Sequence, residues 1–320
     1  MESAAAILKV LPHALSKFEV PGDLPHGKVR DFYITSDSKH RVLVATDRLH
    51  IFDHEIGLVP YKGQVINELS AWWFERTSDI IPNHFVSSPD PNITIAREAR
   101  ALTFDVVVRG YITGVTSTSL WPAYASGMRH LYGITFPEGL KKNQQLPQPV
   151  VTPTTKADVG RGTRQALTDI VGMHYLTEAA WAEVQKAALA LYMRGQELCA
   201  KQGLMLVDSK YEFAYDLKTG KLMLIDELHT PENSRFWRAA DYAQDMATGR
   251  DPQSMDKELA RLWYVGQNFK ETDPVRMPDD LIVALSQAFQ QVYEMTTGLP
   301  FHPASYPAQE RLEGALVTLA

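Results

Sequence analysis

Apolar and charged positions alternate along Val207-Asp208-Ser209-Lys210-Tyr211-Glu212-Phe213, the period of a half-buried strand. A polar turn, Asp216-Leu217-Lys218-Thr219-Gly220, and a second arm from Lys221 to Glu227 complete a predicted β-hairpin. Earlier in the chain, residues 27–34 and 41–47 read as two strands joined by Ser36-Asp37-Ser38-Lys39, and Arg41-Val42-Leu43-Val44-Ala45-Thr46 has the apolar run of a buried strand. Helical spacing from Gly63 to Ser78 turns Val65, Ile66, Leu69, Trp72 and Trp73 inward. Ile93-Thr94-Ile95 and Phe104-Asp105-Val106-Val107-Val108 read as further strands. Proline and polar residues crowd 137–164, which predicts a long ordered loop. Helices are expected from about 165 to 201 and again near 238–248, 254–265 and 279–297. The fold class is α+β, with a β-rich first lobe over 1–110 and a mixed α+β second lobe over 111–320; Arg109-Gly110 looks like the crossing point. The chain carries no internal repeat, coiled coil or low-complexity tract.

The hairpin brings chemistry with it. Period-two alternation puts Asp208, Lys210 and Glu212 on one face. If Tyr215 pairs with Lys221, Lys210 stands opposite Asp226 and Glu212 lies on the adjacent diagonal. Two carboxylates and an ammonium at that spacing suit a divalent metal carrying phosphates, with the lysine as a point charge. A surface hairpin with ordinary cross-strand ion pairs accounts for the local pattern equally well.

Composition narrows the classes. The 320 residues are enough for two lobes with cores of their own, and 45% hydrophobic with 22% charged residues is ordinary for a globular protein. A net charge of −6 gives no basic field for nucleic acid. The lone Cys199 excludes an internal disulfide and any Cys-based zinc site, and fits a reducing compartment. The first residues lack a basic segment and Pro12 breaks their apolar run, a poor signal peptide; no uncharged run is long enough to span a bilayer. A cytoplasmic protein is expected. No P-loop, Gly-x-Ser-x-Gly elbow or His-Glu-x-x-His helix is present, and Gly160-Arg161-Gly162 lacks the third glycine of a dinucleotide fingerprint.

Four segments remain. Gly27-Lys28-Val29-Arg30-Asp31 opens the first strand; a glycine there permits close phosphate approach, with Lys28 and Arg30 on one face, although a basic strand edge is often just solvated. Thr46-Asp47-Arg48-Leu49-His50-Ile51 follows a buried strand; Asp47 as a helix cap with Arg48 as its ion-pair partner is the plainer account, and His50 has no second histidine spaced for a metal. Arg109 directly follows an apolar strand, where a guanidinium suits a carboxylate or phosphate, and Thr116, Ser117, Thr118 and Ser119 add hydroxyls nearby; a polar loop bonding its own backbone also fits. Thr152-Pro153-Thr154-Thr155-Lys156-Ala157-Asp158 is too poor in apolar residues for core, and nothing physical gives it a role.

In this order, these segments resemble the SAICAR synthetase (phosphoribosylaminoimidazole-succinocarboxamide synthase) family over about residues 10–300, together with Lys62-Gly63-Gln64-Val65, Asp226-Glu227, Thr230-Pro231 and Ser234-Arg235-Phe236-Trp237. The resemblance implies a two-lobed fold with the ATP site in the cleft. It implies a purine-biosynthesis ligase that uses ATP and Mg2+ to join an imidazole ribotide carboxylate to L-aspartate through an acyl phosphate. Carried over by position, Gly27, Lys28 and Arg30 would cradle the phosphates. Glu212 and Asp226 would hold Mg2+ and contact the nucleotide, and Lys210 would contact the reacting carboxylate and the γ-phosphate. Arg109 and Arg235 would grip the ribotide phosphate with help from Thr116 or Ser117, Asp208 would sit in the imidazole site, and Asp47 and Arg48 would line the acceptor or amino-acid side. Lys210, Glu212 and Asp226 are thus the expected catalytic set. Small-molecule substrates are the expected partners, with no nucleic acid or membrane, and the oligomeric state stays open between monomer and homo-oligomer.

The chain departs from the family pattern at His50-Ile51 (usually Ser-Ala), Val115 (Ser or Thr), Asp105 (Glu), Ala214 (Gly), Glu232-Asn233 (Asp-Ser) and Gly160-Arg161-Gly162 (a His-Asp sequence). The nucleotide half is intact; the changes fall mostly where the carboxylate and amine are held. A paralogue running the same ATP chemistry on a different carboxylate or amine is therefore an alternative, as are a catalytically silent nucleotide-binding protein and a small-polyol kinase.

Overall fold

The computed structural model describes residues 1–19, 27–156, 165, 167–269 and 276–317. Gly160-Arg161-Gly162, Ala157 and Asp158 lie outside these residues. The chain opens with α1 (Ala4–Val10), whose first turn is capped by the Ser3 hydroxyl accepting from the Ala6 amide. Strands β1 (Arg30–Ile34) and β2 (His40–Ala45) follow. Next come the separate hairpin of β3 (Arg48–Ile51) and β4 (His54–Leu58) and the helix α2 (Lys62–Arg76). After β5 (Phe85–Asp90) and β6 (Ile93–Arg97), the first sheet is complete in the antiparallel order β1-β2-β6-β5. On α2, Val65, Ile66, Leu69 and Trp73 are buried as expected, joined by Phe74. Trp72 lies a hundred degrees further round, half-buried, with the Arg76 guanidinium 3.8 Å above its ring.

The second sheet takes its first strands from the same stretch of chain. β7 (Ala99–Ala101) and β8 (Phe104–Tyr111) pair with β12 (Leu204–Asp216), so β8, which ends at the expected lobe boundary, is bonded to strands from the second half. Residues 112–146 build a satellite core from Ile112, Leu120, Tyr124, Leu131, Phe136 and Leu146 around α3 (Leu120–Ala125) and the short pair β9 (His130–Leu131) and β10 (Ile134–Thr135).

The expected loop over 137–164 is corrected here: Gln145–Thr155 form an eleven-residue strand, β11. β11 is the edge of the order β11-β8-β12-β13, where proline costs no ladder bond on the open side. Pro147 and Pro149 fall inside the register break between Gln145 and Val150.

Helices α4 (Leu167–Gly172) and α5 (Glu178–Ala200) cover the sheet; Trp181, Val184, Ala188, Leu191 and Tyr192 face inward, and Cys199, fully buried, has its thiol pushed up to about 12 by burial. Strands β13 (Leu222–Ile225) and β14 (Ser234–Arg238) flank β12 at its two ends. Helices α6 (Ala239–Thr248), α7 (Glu258–Gly266), α8 (Asp279–Thr297) and α9 (Gln309–Val317) close the molecule. The main apolar core runs from Ile7 through α2 and the second sheet to Phe289 on α8.

Candidate active site

Both sheets, the β3–β4 hairpin and α7 line one cavity of about 1080 Å³. That exceeds the space one small ligand needs, and leaves room for a nucleotide and a second substrate.

At one end stand Lys210, Glu212 and Asp226. β12 alternation supplies the first two, as the sequence predicts. The hairpin register is one residue from the expected one: Tyr215 pairs with Leu222, and Glu212 with Ile225. The reason is the turn, where the Asp216 carboxylate accepts from the Lys218 and Thr219 amides (2.9 and 2.7 Å) and pushes the first pair back to Asp216 and Lys221. In an extended strand Asp226 would then face away. Instead β13 stops at Ile225 and Asp226 takes a left-handed backbone (φ 69°), which returns its carboxylate to the cavity. Its Oδ2 lies 3.4 Å from Lys210 Nζ, and Lys210 also bonds Glu212. Burial pulls the Lys210 ammonium down, but Asp105, Glu212 and Asp226 outweigh it and hold it well above its ordinary value. Burial pushes Asp226 up, and Arg30 and Lys210 reverse that, holding it well below the usual carboxylate range.

Two residues without an expected role belong here. Lys156, just past β11, bonds Glu212 and lies 3.9 Å from Asp105. Asp105 sits 4.0 Å from Lys210, and burial pushes it up to about 6. Local sequence signals could not place Lys156, because its position depends on β11 lying beside β8 and β8 beside β12.

The turn from Gly27 to Arg30 differs from its expected form. Gly27 donates its amide to the Arg30 carbonyl (2.8 Å), and a Cβ at Gly27 would lie 2.8 Å from that same oxygen, so only glycine fits this turn. Lys28 is exposed at the mouth and bonds Asp53 at the tip of the β3–β4 hairpin. Arg30 is nearly covered, bonding Asp226 at 2.8 Å and approaching Glu227 at 3.5 Å. It ties the first sheet to the Asp226 turn.

Asp47 and Arg48 do not reach the cavity wall. Asp47 is fully buried and accepts from the Gly63 amide (2.9 Å) in the first turn of α2, the Leu15 amide (2.8 Å) and the Tyr306 hydroxyl (2.7 Å). Arg48 pairs with Asp31 and donates to the Gly27 carbonyl, both at 2.8 Å, and so holds the Gly27–Arg30 turn from behind. The residue of that segment facing the cavity is His50.

At the opposite end two arginines clamp one carboxylate. Asp208 pairs across β12 with Arg109 of β8 on one side and Arg235 of β14 on the other. Its Oδ2 accepts from both guanidiniums, at 3.4 and 2.6 Å, and so fixes the two arginines side by side rather than reaching into open space. Arg109 also donates to the Thr152 hydroxyl (2.9 Å) and the Thr118 carbonyl (3.2 Å). Arg235 pairs with Glu258 at 3.2 Å. Burial pushes Glu258 up, but Arg235 and Arg261 bring it down to about 2. The loop from Thr113 to Ser119 wraps the clamp: Gly114 has φ +93°, and a Cβ there would stand 2.8 Å from Arg235 Nη2. Thr116 Oγ1 and Ser119 Oγ lie 2.8 Å apart, and Val115, Thr116, Ser117, Thr118 and Ser119 all line the cavity.

The donor set fits a hard divalent cation. Glu212 and Asp226 converge on the same point, and among the described residues no group of three or more His, Cys, Asp or Glu forms a self-sufficient metal cage. Two carboxylates alone would hold such a cation only together with ligands from phosphates and water.

Comparison with known proteins agrees with this geometry. The family model for SAICAR synthetase matches residues 23–276. A phosphoribosylaminoimidazole-succinocarboxamide synthase of Legionella pneumophila (strain Lens) is 44% identical over 300 residues, covering 93% of this chain and 95% of that protein. Among solved structures, the SAICAR-synthase from Saccharomyces cerevisiae complexed with SAICAR superposes with a TM-score of 0.77 at 29% identity, over 90% of this chain and 99% of that one. A SAICAR synthetase (Type-2) in complex with ADP shares the fold, with a TM-score of 0.65 at 21% identity over 88% and 100% of the two chains. The ordered motifs, the two-ended cavity and these matches lead to one conclusion: the chain belongs to the SAICAR synthetase family.

Proposed function

We infer that the chain joins carboxyaminoimidazole ribotide to L-aspartate with ATP, giving SAICAR, ADP and phosphate. The observation that carries this is one cavity with a Lys210–Glu212–Asp226 end facing an Arg109–Asp208–Arg235 clamp. The relatives named above support this reading through the product, SAICAR, and the nucleotide, ADP, that their names carry.

In this reading the clamp, with Thr116 and Ser117, takes the ribotide phosphate and directs the imidazole carboxylate toward Lys210. A carboxylate oxygen attacks the γ-phosphorus and the bond to ADP breaks, which leaves an acyl phosphate. The aspartate amine then attacks the acyl carbon, the C–O bond to phosphate breaks, and the nitrogen gives up its proton as inorganic phosphate departs. Lys210 offsets the negative charge of the transferring phosphoryl group, and its own carboxylate partners keep it protonated for that role. Gly27 and Lys28 receive the phosphates, while Arg30 positions Asp226. Mg2+, when bound by Glu212 and Asp226, supplies charge neutralisation and Lewis-acid polarisation at the phosphates.

The test is turnover by the purified protein with ATP, Mg2+, the ribotide and L-aspartate, with ADP and amide followed by mass spectrometry. Equal yields of ADP and SAICAR support the assignment. ADP without amide, or neither product, refutes it.

A further inference from the structure

Residues before 20 and after 300 lie outside the span that the family model matches, and the two segments meet behind the Gly27–Arg30 turn. In the first, the Leu15 amide donates to Asp47 Oδ2 and the Leu15 carbonyl accepts from the Asp47 amide, both at 2.8 Å. The Ser16 carbonyl accepts from Arg48 Nη1, and the Phe18 amide donates to Asp31 Oδ2 at 2.8 Å. The second returns from α8 along the start of α2: the Gln64 side chain accepts from the Ala304 amide (2.9 Å) and donates to the His302 carbonyl (2.8 Å). Farther on, Arg311 of α9 bonds Asp90 and Asn92, and Asn92 donates to the Ala45 carbonyl at 2.9 Å. Ala308 and Leu312 share one apolar cluster with Leu15, Phe18 and Val44.

Tyr306 joins the two segments. Its hydroxyl donates to Asp47 Oδ2 and accepts from the Tyr61 amide, both at 2.7 Å. Tyr61 stands just before α2 in a left-handed conformation (φ 67°), and Asp47 caps that helix through the Gly63 amide. The same Asp47 oxygen that meets Tyr306 also holds Leu15. Leu15 and Ser16 therefore form one wall of the slot in which the Arg48 guanidinium lies; the Gly27 carbonyl and Asp31 form the other. Tyr306 does not line the cavity, so it reaches the Gly27–Arg30 turn only through this chain of buried hydrogen bonds.

We propose that Tyr306 is a positioning residue for the nucleotide in this chain: acting through Asp47 and Arg48, it fixes the Gly27–Arg30 turn, so a segment outside the matched span takes part in nucleotide binding. This rests on the reading above in which that turn receives the phosphates. The test measures ADP binding with Mg2+ by calorimetry, and KM for the ribotide, in the wild type, Tyr306→Phe, Arg48→Lys and the double variant. Tyr306→Phe keeps the ring and removes only the hydroxyl. Arg48→Lys keeps a charge beside Asp31 but loses the fork that also spans to Gly27. A hydrogen bond to a charged group bounds the effect at about 10–150-fold, and the part transmitted to the turn should weaken ADP binding at least fivefold in Tyr306→Phe. KM for the ribotide should stay within twofold, a split that general loosening would not give. In the Arg48→Lys background the same substitution should add less than twofold, because both act on one turn. Thermal melts establish that each variant is folded at the assay temperature. ADP binding within twofold of wild type in a folded Tyr306→Phe overturns the proposal and leaves the ligase assignment standing. Equal losses for ADP and ribotide, or a full second loss in the double variant, do the same. A wild type that binds no ADP overturns both.

Discussion

Asp226→Asn separates what the Asp226 carboxylate does for the fold from what it does for chemistry. The substitution keeps the side-chain shape and one acceptor oxygen, and removes the charge between Arg30 Nη1 (2.8 Å) and Lys210 Nζ (3.4 Å). Breaking a buried pair costs about 3–5 kcal/mol. Here the cost is smaller, because Asp226 is 26% exposed and Glu227 stays 3.5 Å from the same guanidinium. About 1–2 kcal/mol follows, or a few degrees in Tm. Turnover should fall far more, at least 10²–10³-fold, the scale for losing one fixed electrostatic contact to a transition state. The pH dependence has a definite sign. Asp226 is held below its unfolded value, so its contribution is fully present above about pH 4 and is lost as pH falls from there toward the folded value. The wild-type advantage in Tm over Asp226→Asn should therefore be constant from pH 5 to 7 and narrow by pH 3. ADP release gives the catalytic part, and melts across that range give the other. Turnover within tenfold of wild type, or an equal Tm gap at pH 3 and pH 7, would refute the reasoning.

Three further outcomes follow from the same geometry. Arg48→Ala strips Asp31 of its guanidinium and releases the Gly27 carbonyl, so it should cost about 3–5 kcal/mol in denaturant melts and raise KM for ATP, though Arg48 touches no substrate; an unchanged KM in folded protein would show that the loop holds itself. Gly114→Ala puts a Cβ where φ is +93° and Arg235 Nη2 is 2.8 Å away, so KM for the ribotide should rise about tenfold or more with KM for ATP unchanged, and equal rises in both would contradict a local effect. Burial, aided by Glu258, pushes Asp256 up to about 7, so the native state holds a proton that the unfolded chain has released above about pH 4, and stability should decline from about pH 4 to 7; Asp256→Asn should flatten part of that decline in urea midpoints, and an identical slope would count against it.

What could be read from the sequence was local. Alternation along β12 placed Asp208, Lys210 and Glu212 on one face, and the motif order placed both ends of the cavity. The hairpin register was missed by one residue, although its cause stood in the sequence: Asp216 two and three residues before Lys218 and Thr219 is a side chain ready to cap those amides. Asp226 still reached the site, because its left-handed backbone compensated for the slip. β11 was hidden for another reason. Its prolines describe a loop unless the strand is known to lie at an edge, and edge position is a property of the assembled sheet. Asp47 and Arg48 show the same limit: the partners of Asp47 include Tyr306, and no local window reveals that contact.

The pairing of charges in the site also explains why charge alone was ambiguous in the sequence. Nearly every cation in the cavity already has an anion: Lys28 has Asp53, Arg30 has Asp226, Lys156 and Lys210 share Glu212, and Arg109 and Arg235 share Asp208. Such pairs look like ordinary structural ion pairs, which was the competing account of the hairpin. The difference lies in how they are joined. Single carboxylates hold two cations each at fixed spacing, so a phosphate or acyl group entering between them meets paired positive charge already oriented, with little reorganisation left to perform. Arg30 extends that order across the cleft, since its guanidinium spans from the Gly27–Arg30 turn to the Asp226 turn. A loop displaced at Gly27 is therefore transmitted to the Asp226 carboxylate, which is why substitutions behind the loop, at Arg48, are expected to act on nucleotide use rather than on stability alone.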